Sequence, residues 1–258
     1  MVFSSPVFLF IFLTAVYILY RIVPPVSVKN IILLIFSLLF YTYGEPKAII
    51  LMIISIVMNY LFGLSMKKEN KSRKICLFFS IVLNLTMLGI FKYAGFGTEM
   101  LNALFSANMA IPHIALPIGI SFYTFQAMSY VIDSYKSPDY IQKNIFKVAL
   151  YITFFPQLVA GPIVKYSDFA HQIDNRTITP QMTAEGIKRF ITGLSKKLLI
   201  ANTMAYAADY VYSLDTSELS IPLAWLGALS YLFQIYFDFS GYSDMAIGLG
   251  AMFGFTFK

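Results

Sequence analysis

Apolar residues in this chain come in uninterrupted blocks rather than stripes. Charge-free runs cover residues 1–20, 30–44, 48–66, 75–91, 100–132, 148–164, 198–208, 219–237 and 245–257. Residues 31–40 (IILLIFSLLF) and 49–57 (IILMIISIV) are apolar on every side. Strands of a membrane barrel alternate apolar and polar positions over about 10 residues, so the pattern predicts helices. Crossing a bilayer takes about 20 mainly apolar helical residues, with about 17–25 tolerated. Runs 1–20, 48–66, 75–91 and 219–237 meet that outright, and run 100–132 is long enough for a span plus a loop. Runs 30–44, 198–208 and 245–257 are short; they span only with flanking residues included, or lie buried inside a bundle. The expected fold is all-α, a polytopic transmembrane helical bundle, with 1–258 forming a single integral-membrane domain.

Composition narrows the class further. Of 258 residues, 58% are hydrophobic and 12% charged, against about 25% charged in an ordinary soluble domain. Half the usual charge cannot cover a 29.2 kDa globule, which excludes a soluble enzyme, a disordered chain and a nucleic-acid-binding domain. The lone Cys76 excludes a disulfide framework and a Cys-based zinc site. The first segment lacks both a basic n-region and an A-x-A site, so it reads as a span and not a cleavable signal.

Charge placement then sets an orientation. Between Lys67 and Lys74 (KKENKSRK) lie five basic residues and one acid, which puts that loop in the cytoplasm. Counting back through the Gly44-Glu45-Pro46 turn, and reading Arg21 as the first positive charge, both give an external N-terminus. Counting forward, a loop through Glu99, Asn102 and Asn108 is external, and Lys136, Lys143 and Lys147 are cytoplasmic. A full crossing by 148–164 would then place Lys165, Arg176, Lys188, Arg189, Lys196 and Lys197 outside. That segment contains Pro156, Gly161 and Pro162, which break helices. It is expected to be broken or re-entrant, starting and ending in the cytoplasm. Such backbone is tolerated at membrane depth only when buried in protein or lining a wet cavity. Past it, Thr179-Pro180 is expected to cap a helix whose apolar face carries Ile187, Phe190, Ile191, Leu194 and Leu198. Its lysines and Arg189 lie off that face, which suits a basic interfacial helix on the anionic inner leaflet, or a helix packed on a partner or on the protein's own loops.

Polar groups inside apolar segments are costly and mark candidate sites. Gln126, Ser129, Tyr130 and Asp133 share one helical face, as the wall of an internal chamber or as interhelical glue. Pro156 and Gln157 belong to the broken segment. Gln234, Asp238, Tyr242, Ser243 and Asp244 form the most polar patch in an apolar stretch. Six residues of helix set Asp238 and Asp244 about 120° apart, so they are not one acid–base dyad unless Gly241 breaks the helix. Asn59 and Asn84, one per span, suit helix–helix contacts, and Ala246, Gly250 and Gly254 recur every four residues as a smooth packing face. Walker A, G-x-S-x-G, H-E-x-x-H and G-x-G-x-x-G motifs are missing. His113 lies beside Pro112 in the external loop and His171 in a polar loop; neither is spaced to an acid as a catalytic base would require.

Residues 1–12 (MVFSSPVFLFIF), 40–46 (FYTYGEP), 91–93 (FKY), 116–133 (LPIGISFYTFQAMSYVID), 155–165 (FPQLVAGPIVK), 189–202 (RFITGLSKKLLIAN) and 234–257 (QIYFDFSGYSDMAIGLGAMFGFTF) resemble the membrane-bound O-acyltransferase family. The likeness is to the bacterial branch of alginate O-acetylation and teichoic-acid D-alanyl transfer, over nearly the whole chain. It implies passage of an acyl group from a cytoplasmic donor, acyl-CoA or an acyl-carrier protein, to a hydroxyl on an envelope polysaccharide or lipid-linked acceptor, with a chamber histidine as general base. It also implies polysaccharide-modifying envelope proteins as partners and no bound cofactor or metal. In the family, the last segment continues into a Trp-His-Ile-Ser-type motif carrying that histidine. Lys258 precedes any such motif, so the chain is expected to be an N-terminal portion, inactive alone, with its catalytic His beyond Lys258. A transporter or channel subunit, or a scaffold of a polysaccharide-secretion complex, is the competing class.

Overall fold

A computed structural model describes residues 2–67, 72–106, 109–112 and 114–257. Asn108, His113, Lys258 and residues 68–71 of the basic loop lie outside the described residues. Among the described residues every regular element is helical. They cluster into two compact units: unit 1 (Met1–Val23, Ala160–Pro162, Arg176–Lys258) and unit 2 (Pro24–Val159, Ile163–Asn175).

Unit 1 opens with a π-helical stretch, Val7–Phe12, that runs into α1 (Leu13–Ile22). Unit 2 begins with α2 (Val26–Gly44), which reaches 19 residues by taking in residues flanking the short run 30–44. Helix α2 stops where Pro46 disfavours helical geometry at Glu45, and α3 (Ile49–Ser65) follows that turn. Helix α4 (Ser72–Phe105) is about 51 Å long at 1.5 Å per residue. Helices α2 and α4 are long and apolar enough to cross a membrane; Val7–Ile22 and Ile49–Ser65 are shorter apolar helices. Glu99 and Asn102, expected in a loop, lie on α4. No proline follows before Pro112, and isolated glycines cost a helix only about 1 kcal/mol each. The helix therefore continues past the last charge-free position.

Helix α5 (Ile120–Lys136) starts after Gly119, whose φ of 75° is left-handed. Asn144 caps α6 (Ile145–Thr153) by accepting a hydrogen bond from the Phe146 N–H at 2.9 Å. The chain then breaks at Phe154, makes the four-residue α7 (Phe155–Leu158), and stays non-helical through residue 165. The stretch 145–158 rises about 21 Å, short of the roughly 30 Å hydrocarbon core. The break expected from Pro156 and Pro162 is therefore present. Helix α8 (Tyr166–Asn175) buries Tyr166, Phe169 and Ile173. His171, expected in a loop, sits on this helix, because the apolar spacing i, i+3, i+7 supports an amphipathic turn.

In unit 1, Thr179 caps α9 (Pro180–Ser195) by accepting from the Met182 N–H at 3.1 Å, with Pro180 in the first turn. Helix α9 continues through a π-helical segment, Lys196–Ala201, into α10 (Asn202–Tyr212). It packs antiparallel to α11 (Ile221–Met252). A Cβ on Gly186 would lie 2.7 Å from the Gly248 carbonyl oxygen, and one on Gly248 would lie 2.6 Å from that of Gly186. One turn-pair further along, a Cβ on Gly241 would lie 2.7 Å from the Gly193 carbonyl oxygen. The smooth face is thus a seven-residue repeat, Gly241 and Gly248, meeting Gly186 and Gly193. This corrects the four-residue series Ala246, Gly250, Gly254. Gly254 has φ of 84° and ends α11: the Gly254 N–H bonds the Ala251 carbonyl and the Phe255 N–H bonds that of Gly250.

Candidate functional site

The polar patch of α11 is built against the π-helical turn. Lys196 and Lys197 open that turn, and each reaches a different carboxylate of α11. Lys196 Nζ donates to Asp244 Oδ2 at 2.6 Å and to Ser240 Oγ at 3.1 Å. Lys197 Nζ lies 2.6 Å from Asp238 Oδ1. Arg189, two turns earlier, donates from Nε to Asp244 Oδ1 at 3.0 Å. Helix α11 runs unbroken through Gly241, so the two carboxylates stay apart and each has its own cation. Asp244 lies past the charge-free run 219–237. Burial raises its carboxyl pKa, but hydrogen bonds and charge from Lys196 and Arg189 outweigh that and hold it below the usual carboxylate range.

Arg189, Lys196 and Lys197 lie off the large apolar residues and beside the face that packs on α11. Gly186, Phe190 and Gly193 are buried, with Arg189, Lys196 and Lys197 flanking them in ion pairs, while Ile187, Ile191 and Leu198 are exposed. The reason is the glycine pair: backbone-to-backbone contact with α11 displaces the larger apolar residues from the interface.

Along the other side of α11, Ile235, Asp238, Phe239 and Tyr242 recur at i, i+3, i+4 and i+7. With Ala160 they line an open pocket of about 240 Å³. The Tyr242 ring stacks on Phe3 at 4.6 Å, and its hydroxyl is buried, as is Gln234 Oε1. Ser243 is half-buried.

The second constellation lies wholly in unit 2, where α5 holds the broken segment in place. Gln126 Nε2 donates to the Gln157 carbonyl at 3.4 Å. Ser129 Oγ accepts from the Tyr166 N–H at 3.1 Å, and Asp133 Oδ2 from the Ser167 N–H at 3.0 Å. Gly119 admits the Leu158 carbonyl, which would be 2.6 Å from a Cβ there. Ser37 Oγ on α2 accepts from the Phe155 N–H at 3.1 Å, Tyr151 Oη donates to the Val164 carbonyl at 2.7 Å, and Gln157 Nε2 donates to the Tyr151 carbonyl at 3.0 Å. Pro156 and Tyr130 are fully buried; Tyr130 lies edge-on to Tyr166 at 4.8 Å, in space that any side chain on Gly63 would fill. The shared face thus supplies hydrogen bonds to backbone the helix break left open. The Oε1 atoms of Gln126 and Gln157 are buried without a protein partner among the described residues.

Asn59 and Asn84 form the expected interhelical contact: Asn84 Nδ2 donates to Asn59 Oδ1 at 2.8 Å, and Asn59 Nδ2 to Asn84 Oδ1 at 3.1 Å. His171 is exposed, its Nε2 3.5 Å from Tyr140 Oη. Among the described residues no three His, Cys, Asp or Glu side chains converge as metal ligands. Ser37, Tyr151 and Arg176 carry no sequence signal, because their importance depends on distant partners. Arg176 is buried in unit 1, its guanidinium 4.5 Å from the Phe255 ring centroid and its Nε donating to Tyr20 Oη at 2.9 Å; that hydroxyl in turn donates to the Phe253 carbonyl.

The profile of MBOAT, the membrane-bound O-acyltransferase family, matches residues 35–258. The chain is 42% identical over 264 residues to the probable alginate O-acetylase of Pseudomonas syringae pv. tomato, an alignment covering 100% of this chain and 50% of that protein. It is 34% identical over 286 residues to the peptidoglycan O-acetyltransferase of Helicobacter pylori, covering 98% of this chain and 54% of that protein. With the teichoic acid D-alanyltransferase of Bacillus subtilis it shares 25% identity over 145 residues, 53% of this chain and 35% of that protein. The chain spans about half the length of the curated relatives it matches.

Proposed function

Because the chain belongs to the membrane-bound O-acyltransferase family, we propose that it serves the transfer of an acyl group to a hydroxyl of a cell-envelope polysaccharide. Acetyl is the favoured group, and the donor is a cytoplasmic thioester, acyl-CoA or acyl-carrier protein. One observation carries this: the chain aligns along its whole length with relatives named for O-acetylating two different envelope polymers, alginate and peptidoglycan. In the reaction the acceptor oxygen attacks the thioester carbonyl, an ester forms, the C–S bond breaks, and the thiol departs with the proton the hydroxyl gives up. Neither His171 nor His113 is assigned as the base.

Within the membrane, the N-terminus is external, the loop from Lys67 to Lys74 cytoplasmic, and the broken segment re-entrant from the cytoplasmic side. What supports this last element is that its backbone is held by buried side chains. The unpartnered amide oxygens of Gln126 and Gln157 suit ordered water or a substrate hydroxyl. We assign Gln126, Tyr130, Asp133, Pro156 and Gln157 to one wall of the substrate path. Within unit 1, Gln234, Asp238, Tyr242, Ser243 and Asp244 are separately assigned as substrate-path residues.

The test is acetyl-ester content of envelope polysaccharide, by NMR, in cells carrying the full-length protein or its Asp244→Ala form. Acetylation restored by the parent and reduced by the variant, at equal membrane levels, is the expected result. No acetylation above a deletion background would overturn the function. Undiminished acetylation by Asp244→Ala would overturn the residue's place in it.

A further inference from the structure

The pocket on α11, whose Asp238 and Tyr242 are also assigned to the substrate path above, joins two features. One is a partly exposed ion pair: Lys197 Nζ and Asp238 Oδ1 are 2.6 Å apart, with side-chain exposures of 27% and 50%. The other is an apolar ridge leading to that pair. Ile221, Trp225, Leu232, Ile235 and Phe239 recur at helical spacing and are 79%, 65%, 58%, 51% and 56% exposed. Ile235 and Phe239 of the ridge and Asp238 of the pair line the pocket with Tyr242 and Ala160, and Lys197 adjoins it through Asp238, 2.6 Å away. From residue 221 to the ion pair the ridge rises about 25 Å.

We propose that this pocket binds a phospholipid whose headgroup carries both an ammonium and a phosphate, an ethanolamine phospholipid. A lone cation would select an anionic lipid. A partly exposed cation beside a half-exposed anion instead presents a dipole, and its complement is a headgroup with the opposite dipole. The ammonium donates to Asp238, whose carboxylate has acceptor capacity beyond the oxygen that Lys197 engages. The phosphate accepts from Lys197, whose ammonium carries three donors. The acyl chains lie along the ridge, where an aqueous surface would leave Ile221, Trp225 and Leu232 in water. Half-burial of both charged groups strengthens these contacts relative to bulk water. The proposal rests on the chain lying in a membrane and shares Asp238 and Tyr242 with the substrate path; lipid retention is read separately from acetyl-ester content, so the failure of one reading is distinguishable from the failure of the other.

The experiment places the full chain in nanodiscs containing equal parts of dioleoyl phosphatidylethanolamine, phosphatidylcholine and phosphatidylglycerol, and counts lipids retained by native mass spectrometry. Choline has the same charges but no N–H to donate; glycerol has the phosphate without the ammonium. The expected result is retention of the ethanolamine lipid about tenfold over the other two, the margin one charge-assisted hydrogen bond supplies. Asp238→Asn is expected to abolish the discrimination against choline, and Lys197→Met to lower retention of all three. The exchanged pair, Lys197→Asp with Asp238→Lys, restores the interhelical ion pair but reverses the dipole. It should fold normally and lose the preference. Equal retention of all three lipids by the parent would overturn the proposal. So would preference for the glycerol lipid, or an unchanged ethanolamine preference in Asp238→Asn or the exchanged pair.

Discussion

A buried amide has donors and acceptors to satisfy, and each left open costs about 1–3 kcal/mol. Asn59 and Asn84 answer each other and also donate to the carbonyls of Ser55 and Ser80 one turn back. Asn59→Leu leaves Asn84 facing hydrocarbon and is expected to destabilise the protein by about 1–2 kcal/mol. The double Asn59→Leu/Asn84→Leu form, with no polar group stranded, is expected to recover most of that. Thermal unfolding in detergent measures both; a double variant less stable than the single would refute the pairing. This contact was legible in the sequence because an amide within an apolar block has few uses other than another amide. Gly254 was not. Its spacing from Ala246 and Gly250 suggests a packing face, yet its left-handed φ makes it a helix terminator. Spacing alone does not distinguish a glycine chosen for its missing side chain from one chosen for its backbone freedom. Asp238 and Asp244 were visible as costly groups, but their cations were not, since which of Arg189, Lys196 and Lys197 meets which carboxylate depends on how two distant helical elements pack.

That last point belongs to elements. A π turn closes with one residue more than an α turn, so the six residues Lys196–Ala201 turn the chain about as far as five α-helical ones. Removing Leu199, which is 71% exposed, therefore lets the segment revert to α pitch with α10 close to its present rotation. Contacts on both sides should survive: Gly186 with Gly248 before the deletion, and after it Val211, whose Cγ1 lies 2.7 Å from where a Cβ on Gly227 would be. With Cys76→Ser as background, Gly186→Cys/Gly248→Cys and Val211→Cys/Gly227→Cys pairs are each expected to cross-link both in the parent and once Leu199 is deleted. Loss of cross-linking at 211 and 227 alone would show that the extra residue sets the register of α10. The same pairing explains why the contact of α9 with α11 carries no sequence signal: helices that touch backbone to backbone hide their interface in residues without side chains, while the large apolar residues Ile187, Ile191 and Leu198 stay exposed. A bulky replacement, Gly193→Leu, is expected to separate α9 from α11 and break the Arg189–Asp244 and Lys196–Asp244 pairs, lowering stability by several times the cost of Ile187→Ala on the exposed face.

At the scale of the chain, the helical class followed from the blocks of apolar residues, because no strand satisfies its backbone while apolar on both faces at a lipid surface. The break near Pro156 followed from charge parity, a constraint that acts on the whole chain at once. What stayed hidden was how the break is sustained: Ser37, Ser129, Asp133 and Tyr151 reach it from three other helices. The same accounting yields the orientation test. If 148–164 enters and leaves on the cytoplasmic side, Lys165 lies on the same side as Lys74 and opposite Ser5. In a Cys76→Ser background, Ser5→Cys should react with an impermeant maleimide in intact cells. Lys74→Cys and Lys165→Cys should react only after the membrane is opened. Labelling of Lys165→Cys in intact cells would make the segment a full crossing and reverse every later element, placing Lys196 and Lys197 outside, where positive charge is disfavoured. Because Lys147 and Lys165 flank the break and Lys147 is tied to Asp174 at 2.7 Å within unit 2, a crossing would have to carry that ion pair's two ends to opposite faces. The geometry of the pair therefore argues for the re-entrant path on grounds independent of the charge count.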